Sequence, residues 1–228
     1  NILSNKNGIY YIAGRKNIYH FHNNKLEKVY IPSEMTKFRA FQINNDIYAI
    51  DDEEGIFKLV DDTLKNLHQG KSICSKGVYT MLPFKNNKIL LGTRNAGLYL
   101  YSPKDYKNND GTITKFKTQI DDYFVNSRIY SGVLLSNGNY VITTLRKGCA
   151  IITPKGKLIN ILDKKIGLST NSIYYPFQDK QGNLWLATEK GISKIDLNSP
   201  ITQFNEKIGV SGSMQSVCEF NKKIIIAT

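Results

Sequence analysis

The sequence predicts an all-β fold in which one strand–turn–strand unit is repeated along the chain. Each copy has an apolar strand that ends in a small or polar residue, a polar turn, often a glycine, and a second alternating strand. Successive strand ends are separated by 37, 42, 51, 44 and 40 residues; they lie at Gly14, Asp51, Thr93, Thr144, Thr188 and Thr228. A period of about 40 to 45 residues with several short strands per copy is typical of a β-propeller.

Composition supports this fold class. The chain has 228 residues, enough for one propeller domain, and it is rich in strand formers, including 14 Tyr and 10 Phe. No long stretch shows helical spacing of apolar residues. We therefore predict four-stranded antiparallel blades whose strands a to d run outward from a central channel. The predicted blades span 1–32, 38–68, 78–119, 129–163 and 173–206, with a partial copy at 214–228.

The first two blades are the shorter copies. In blade 1 the alternation predicts strands near 1–5, 8–14, 18–23 and 26–31. In blade 2 it predicts strands at 38–44, 46–51, 55–61 and 64–68.

The next three blades have clearer turn signals. Blade 3 has predicted strands at 78–84, 88–93, 97–102 and 113–119, and an insertion at 103–111 explains the 51-residue step. Blade 4 runs from strand a at 129–135 to strand d at 158–163, with the hairpin turn Ser136-Asn137-Gly138-Asn139. Blade 5 runs from 173–179 to 201–206, with its first turn at 180–183.

The sixth copy contains only strand a (214–221) and strand b (223–228), which gives about five and a half blades. The N-terminus already supplies a nearly full blade, so it has no spare strands to complete the sixth. An unfinished sheet would leave unpaired edges. We therefore expect the native protein to continue beyond Thr228 into a larger ring.

The segment 166–196 resembles the two-component regulator propeller repeat. That repeat has an Asp-x-x-Gly-x-Leu-Trp core, a Thr at the strand end and a following Gly-Leu or Gly-Ile; the matching residues are Asp179, Gly182, Leu184, Trp185, Thr188 and Gly191. Blade 3 has Ile89-Leu90 in place of Leu-Trp, and blade 4 keeps Thr144 and Gly148. The repeat period of the family extends along the whole chain, whereas its specific motif is found in blade 5 alone.

This resemblance implies a sensor more firmly than it implies a kinase. Such repeats are typical of the periplasmic sensor regions of bacterial histidine kinases and hybrid two-component systems, often as seven-bladed rings. Family members often respond to oligosaccharides and often dimerise. The resemblance therefore implies a periplasmic, non-enzymatic sensor fragment that binds an oligosaccharide or another small polar or anionic ligand, is part of a homodimer and meets the membrane only through segments outside this chain.

Basic side chains collect at one predicted face, that of the b–c turns and d–a connections. All five arginines map there, together with one lysine of a b–c turn; the set is Arg15, Arg39, Arg94, Arg128, Arg146 and Lys190. Arginine presents a planar fork that suits carboxylate, sulfate or phosphate groups. The alternative is that these side chains pair with acidic residues of the same face, such as Glu53, Glu54, Asp121, Asp122 or Glu189.

Three tyrosines share one position in the repeat. Tyr79, Tyr130 and Tyr174 each precede their strand end by 14 residues, at the start of strand a. We expect them near the channel mouth on the arginine face, where their rings could stack on sugars. The alternative is that they pack between neighbouring blades. Trp185 is interpreted as the packing residue between blades that the family uses.

No catalytic, metal or cofactor site is predicted. His20 and His22 lack a third ligand at a recognisable spacing, and the acidic turn at 51–54 lacks the calcium-loop pattern. Nucleophile-elbow and phosphate-loop motifs are missing. The net charge of +12 permits anionic ligands without requiring them, and we expect no nucleic-acid partner.

Two other functions stay open from the sequence. A propeller lyase or hydrolase that acts on polysaccharide would need acids and bases that converge on the channel. A protein-interaction scaffold would use the predicted exposed loops 103–112 and 120–127 as its docking surface.

Overall fold

The computed structural model describes residues 2–5, 8–13, 16–33, 35, 38–103, 112–197, 215–221 and 223–227. Within them the chain forms six antiparallel sheets: four with four strands, one with three and one with two. In each sheet the strands follow one another in sequence order, as expected for the meander of a propeller blade. The prediction of an all-β propeller fold is thereby confirmed.

Blades 1 and 2 are complete meanders. Blade 1 consists of β1 (Ile2–Asn5), β2 (Gly8–Ala13), β3 (Asn17–His22) and β4 (Lys25–Lys28). Blade 2 consists of β5 (Phe38–Ile43), β6 (Asp46–Asp51), β7 (Gly55–Val60) and β8 (Thr63–Asn66).

Blades 3 and 4 are also complete. Blade 3 consists of β9 (Val78–Pro83), β10 (Ile89–Thr93), β11 (Gly97–Ser102) and β12 (Thr112–Lys115). Blade 4 consists of β13 (Ile129–Leu134), β14 (Tyr140–Thr144), β15 (Cys149–Ile152) and β16 (Leu158–Leu162). Most of the predicted insertion 103–111 lies outside the described residues.

The remaining sheets are smaller. Blade 5 has β17 (Ile173–Gln178), β18 (Leu184–Thr188) and β19 (Gly191–Ile195), and its predicted fourth strand at 201–206 lies outside the described residues. The two-stranded sheet has β20 (Ser216–Phe220) and β21 (Lys223–Ala227). The predicted strand ends at Gly14 and Thr228 also lie outside the described residues.

The hydrophobic core lies between successive blades. Four apolar clusters join blades 1 and 2, 2 and 3, 3 and 4, and 4 and 5. Strands β10 and β14 are buried along their whole length, because each has a neighbouring sheet against both faces. The first strands of successive blades lie side by side. This arrangement brings equivalent positions of different blades together around the channel.

Two short helices lie in connections between blades. Helix α1 (Lys71–Cys74) joins blades 2 and 3, and helix α2 (Asp121–Ser127) joins blades 3 and 4. The prediction of a loop at 120–127 is wrong, because the segment is helical, and its Phe124 is fully buried against blades 3 and 4. No helix in the described part of the chain is long and apolar enough to cross a bilayer.

Candidate functional site

The threonines at the ends of strands b close the b–c turns through their hydroxyls. The hydroxyl of Thr144 donates to the Gly148 carbonyl at 2.8 Å and accepts from the Lys147 backbone N–H at 3.0 Å. Thr93 makes the equivalent bonds, and Thr188 makes the corresponding bonds across a turn that is one residue shorter. The glycine after each of these turns has a positive φ, which other residues rarely adopt. The residue that follows each threonine is therefore held at the same place in its blade.

The predicted tyrosines lie at β-bulges. In blade 3, Val78 pairs with Thr93 and Thr80 with Gly92, so Tyr79 is the extra residue between them. The same shift leaves Tyr130 unpaired in blade 4 and Tyr174 unpaired in blade 5. A β-bulge redirects the side chain of its extra residue. In three successive blades it therefore places a tyrosine at the same point on the first strand.

These tyrosine rings form a continuous row across blades 3, 4 and 5. The ring centroids of Tyr79 and Tyr130 are 5.7 Å apart, and those of Tyr130 and Tyr174 are also 5.7 Å apart. Both separations are within the range of favourable aromatic pairs. Tyr79 and Tyr130 are half-buried, whereas Tyr174 is 41% exposed. The ring at the blade 3 end of the row is therefore partly covered by its neighbours, and the ring at the blade 5 end is accessible to solvent.

Two arginines extend this row. The guanidinium carbon of Arg39 lies 4.6 Å from the Tyr79 ring centroid, and that of Arg94 lies 4.3 Å from Tyr79 and 5.4 Å from Tyr130. These distances are typical of cation–π contacts. We call Arg39, Tyr79, Arg94, Tyr130 and Tyr174 the arginine–tyrosine row.

The two arginines of the row differ in their polar partners. Arg39 forms an ion pair with Asp52 and donates from Nε to the Val78 carbonyl at 2.7 Å. Arg94 has no carboxylate partner among the described residues, and its Nη1 is buried without a hydrogen-bond acceptor there. Burial lowers the pKa of the Arg94 guanidinium, and the charges of Arg128 and Arg39 lower it further, against the opposing effect of Tyr79.

The other predicted site residues that the structure describes do not join the row. Arg128 lies near enough to influence Arg94, at the start of blade 4. Arg146 and Lys190 are exposed, and within the described residues neither side chain makes an ion pair or a ring contact. Arg15 lies outside the described residues. The predicted pairing with Glu53, Glu54, Asp121, Asp122 or Glu189 is not seen there; Asp52 is the carboxylate that the sequence interpretation missed.

The motif around Trp185 has a physical explanation. The Asp179 carboxylate accepts a bond from the Trp185 indole at 2.8 Å and from the Asn183 side chain at 2.9 Å. It also accepts from the backbone N–H groups of Gln181 and Asn183. These bonds, led by that of Trp185, lower the pKa of Asp179 to about 2. The first and last positions of Asp-x-x-Gly-x-Leu-Trp are therefore joined directly, and Trp185 itself is half-buried.

Other features of the surface lie away from the arginine–tyrosine row. A cavity of about 420 Å³ lies between blades 2 and 3 beside the a–b turns, and one of about 480 Å³ lies beside residues 28–33; neither is lined by the arginine–tyrosine row. His20 contacts Asp62 and stacks on Tyr10. No group of three His, Cys, Asp or Glu side chains converges within the residues that the structure describes.

Comparison with known proteins finds structures similar to that of this chain. Its structure is similar to the extracellular domains of two hybrid two-component systems from B. thetaiotaomicron. One aligns with 100% of this chain at a TM-score of 0.66 and 25% identity, and the other with 87% at 0.63 and 18%. The chain spans 31% and 27% of those two domains.

More distant similarities show the fold alone. Virginiamycin B lyase from Staphylococcus aureus aligns with 87% of the chain at a TM-score of 0.60 and 14% identity, and the chain spans 70% of it. A comparison with curated protein sequences finds no significant match. Residues 167–190 match the family described as two component regulator propeller. The resemblance predicted from the motif around Trp185 is thus confirmed, and the chain carries the repeat of the two-component regulator propeller family.

Proposed function

We propose that the chain is part of the extracytoplasmic sensor region of a bacterial two-component signalling protein and that it is not an enzyme. The observation that carries this proposal is the alignment of the whole chain with the extracellular domain of a hybrid two-component system at 25% identity. Periplasmic localisation, a homodimeric full-length protein and a downstream kinase belong to the same proposal.

The proposed ligand is an oligosaccharide bound along the arginine–tyrosine row. Tyrosine rings stack on the apolar faces of sugars while their hydroxyls form hydrogen bonds. Tyr174 supports this location because 41% of its surface is accessible and its ring is held against Tyr130. A ring that is already held in place loses little conformational entropy when a ligand binds.

Signalling would follow from differential binding. A ligand that contacts blades 3, 4 and 5 prefers the arrangement of blades or protomers that brings its contacts together. Such a preference shifts an existing equilibrium between signalling states by the difference in affinity. No bond has to be made or broken for this function.

The first test measures binding and turnover in the same samples. The purified chain is titrated with a panel of plant and host oligosaccharides by calorimetry, and the mixtures are analysed for shortened or unsaturated products. The proposal expects binding without product. Product formation would favour a propeller lyase or hydrolase, and a panel without any binding would favour a protein-interaction scaffold; either result would contradict the proposal.

Two adjacent tyrosines provide a matched pair of variants. Tyr174 belongs to the row, whereas its neighbour Tyr175 is 60% exposed and lies outside the row. We expect Tyr174→Ala to weaken oligosaccharide binding about tenfold, the loss of one stacking contact of about 1 to 1.5 kcal/mol. Tyr175→Ala is the control and should leave the affinity unchanged. Equal effects of the two substitutions would place the ligand elsewhere.

A further inference from the structure

Arg94 differs from Arg39 in having an unneutralised charge. Both guanidinium groups lie on Tyr79, but only Arg39 has a carboxylate partner, Asp52, among the described residues. A partly buried cation without an anion is unfavourable unless another interaction compensates for its lost hydration. The rings of Tyr79 and Tyr130 compensate in part, because a cation is attracted to the face of an aromatic ring.

The hydrogen bonds of Arg94 are also incomplete. Its buried Nη1 has no acceptor among the described residues, whereas most buried side-chain donors in proteins have one. The Arg94 backbone is fixed on both sides, since its N–H donates to the Gly77 carbonyl at 2.8 Å and its carbonyl accepts from the Ile129 N–H at 3.1 Å. The guanidinium is therefore held at the junction of blades 3 and 4.

A second cation is held near this junction by an unusual backbone. Arg128 has a φ of 61°, and it is the one residue other than Gly, Asn, Asp or His with a positive φ among the described residues. Blade 3 has Gly77 at the equivalent position, with a φ of 68°. A side chain other than glycine in this region carries a local strain, and such residues cluster at functional sites. The charge of Arg128 acts on Arg94, as does that of Arg39.

We propose that the arginine–tyrosine row is specific for acidic oligosaccharides, with a carboxylate or sulfate bound by Arg94 and a neighbouring sugar ring stacked on Tyr174. This inference rests on the proposed function and adds the chemical class of the ligand. An oxyanion would neutralise Arg94, which also lies near Arg128, and would accept hydrogen bonds from its guanidinium. Arginine suits this role because its fork can make two parallel bonds to one oxyanion.

The test uses pairs of ligands that differ mainly in charge. Trigalacturonate is compared with its methyl ester, and a sulfated galactobiose without uronic acid with its desulfated form, by calorimetric titration of the chain. We expect at least one acidic member to bind about 10- to 100-fold more tightly than its neutral partner, as expected for charge-assisted hydrogen bonds. The difference should shrink at high salt, because exposed charges are screened. The two pairs distinguish a carboxylate from a sulfate.

Matched variants test whether Arg94 is the residue that causes the preference for acidic ligands. Arg94→Gln should remove the preference for the acidic member, and Arg94→Lys should retain only part of it. Arg146→Gln is the control, because Arg146 is exposed and outside the row. Thermal unfolding of each variant identifies any loss of the fold, and Arg94→Lys keeps the test valid if Arg94→Gln is unstable.

The outcomes separate this inference from the proposed function. If neutral oligosaccharides bind through Tyr174 and the acidic members bind no better, the charge specificity is overturned and the sensor proposal stands. If Arg94→Gln and Arg94→Lys leave the acidic preference intact, the binding of the oxyanion by Arg94 is overturned and the sensor proposal stands. If neither acidic nor neutral oligosaccharides bind, both proposals fail.

Discussion

Blades 4 and 5 carry the same local unit in different surroundings. Each has a bulged tyrosine in strand a, a threonine that closes the b–c turn and a glycine with positive φ. In blade 4 the residue after the glycine, Cys149, is fully buried, whereas its counterpart Ile192 in blade 5 is 73% exposed. The threonine closes the turn in both settings, although the turn of blade 5 is one residue shorter. Closure of the turn is therefore encoded locally, and its burial depends on neighbouring elements.

The glycines after the two turns give the largest expected difference. A Cβ at Gly148 would lie 2.0 Å from the Leu162 carbonyl oxygen, whereas a Cβ at Gly191 would meet nothing within 4 Å. We expect Gly148→Ala to lower the free energy of unfolding by about 3 kcal/mol or more, and Gly191→Ala by about 1 kcal/mol from backbone strain alone. Urea unfolding measures both. Similar losses of stability for the two substitutions would show that the close packing around Gly148 does not limit the side chain at this position.

The threonine hydroxyls give a smaller difference. Thr144 is fully buried and Thr188 is slightly more accessible. We expect Thr144→Val to lower the free energy of unfolding by about 2 kcal/mol, because the Lys147 N–H loses its acceptor, and Thr188→Val by about 1 kcal/mol. Urea unfolding again provides the measurement. A larger loss for Thr188→Val would contradict the role given to burial.

The tyrosines distinguish stability from binding. The Tyr130 ring contacts Arg94 and the rings of Tyr79 and Tyr174, whereas Tyr174 contacts the row through Tyr130. We expect Tyr130→Ala to lower the free energy of unfolding by about 1 kcal/mol and Tyr174→Ala to change it by less than about 0.5 kcal/mol. Both should weaken oligosaccharide binding. If Tyr174→Ala destabilised the chain as much as Tyr130→Ala, the main role of the row would be to stabilise the packing between blades.

Asp179 gives the smallest effect, and it is specific to blade 5. Its pKa of about 2 in the folded chain is below the ordinary 3.8, so its bonds stabilise the fold above a pH of about 4 and are lost as the pH falls towards 2. Blade 4 has the non-titrating Leu135 at this position. We expect Asp179→Asn to be less stable than the native sequence at neutral pH, with the difference disappearing near pH 2. Acid unfolding that is unchanged by Asp179→Asn would contradict this expectation.

The sequence predicted those parts of the structure that short-range bonds specify. The hydroxyl of Thr144 reaches Gly148 only four residues later, so the turn recurs as a visible pattern. The constant spacing of Tyr79, Tyr130 and Tyr174 was visible for the same reason, and the structure brings these tyrosines together. Their role in binding stays a prediction.

Other parts could not be read from the sequence because they depend on contacts between blades. The seven residues of α2 are too few to show helical periodicity, and Phe124 is buried by blades on either side. Arg94 and Arg146 both follow a strand end closely, but only Arg94 reaches the tyrosines. The pairing of Arg39 with Asp52 brings together residues that the turn pattern does not connect.

The β-bulges give the tyrosine row a constant pitch. Both centroid separations are 5.7 Å, because each ring occupies the same position in a repeated unit. The rings are not interchangeable, because those of Tyr79 and Tyr130 are half-buried against Arg94 and the interplanar angle changes from 34° to 64° along the row. A sugar chain of any length therefore meets one accessible ring, that of Tyr174, and its affinity should change little with length once the sugar that stacks there is present.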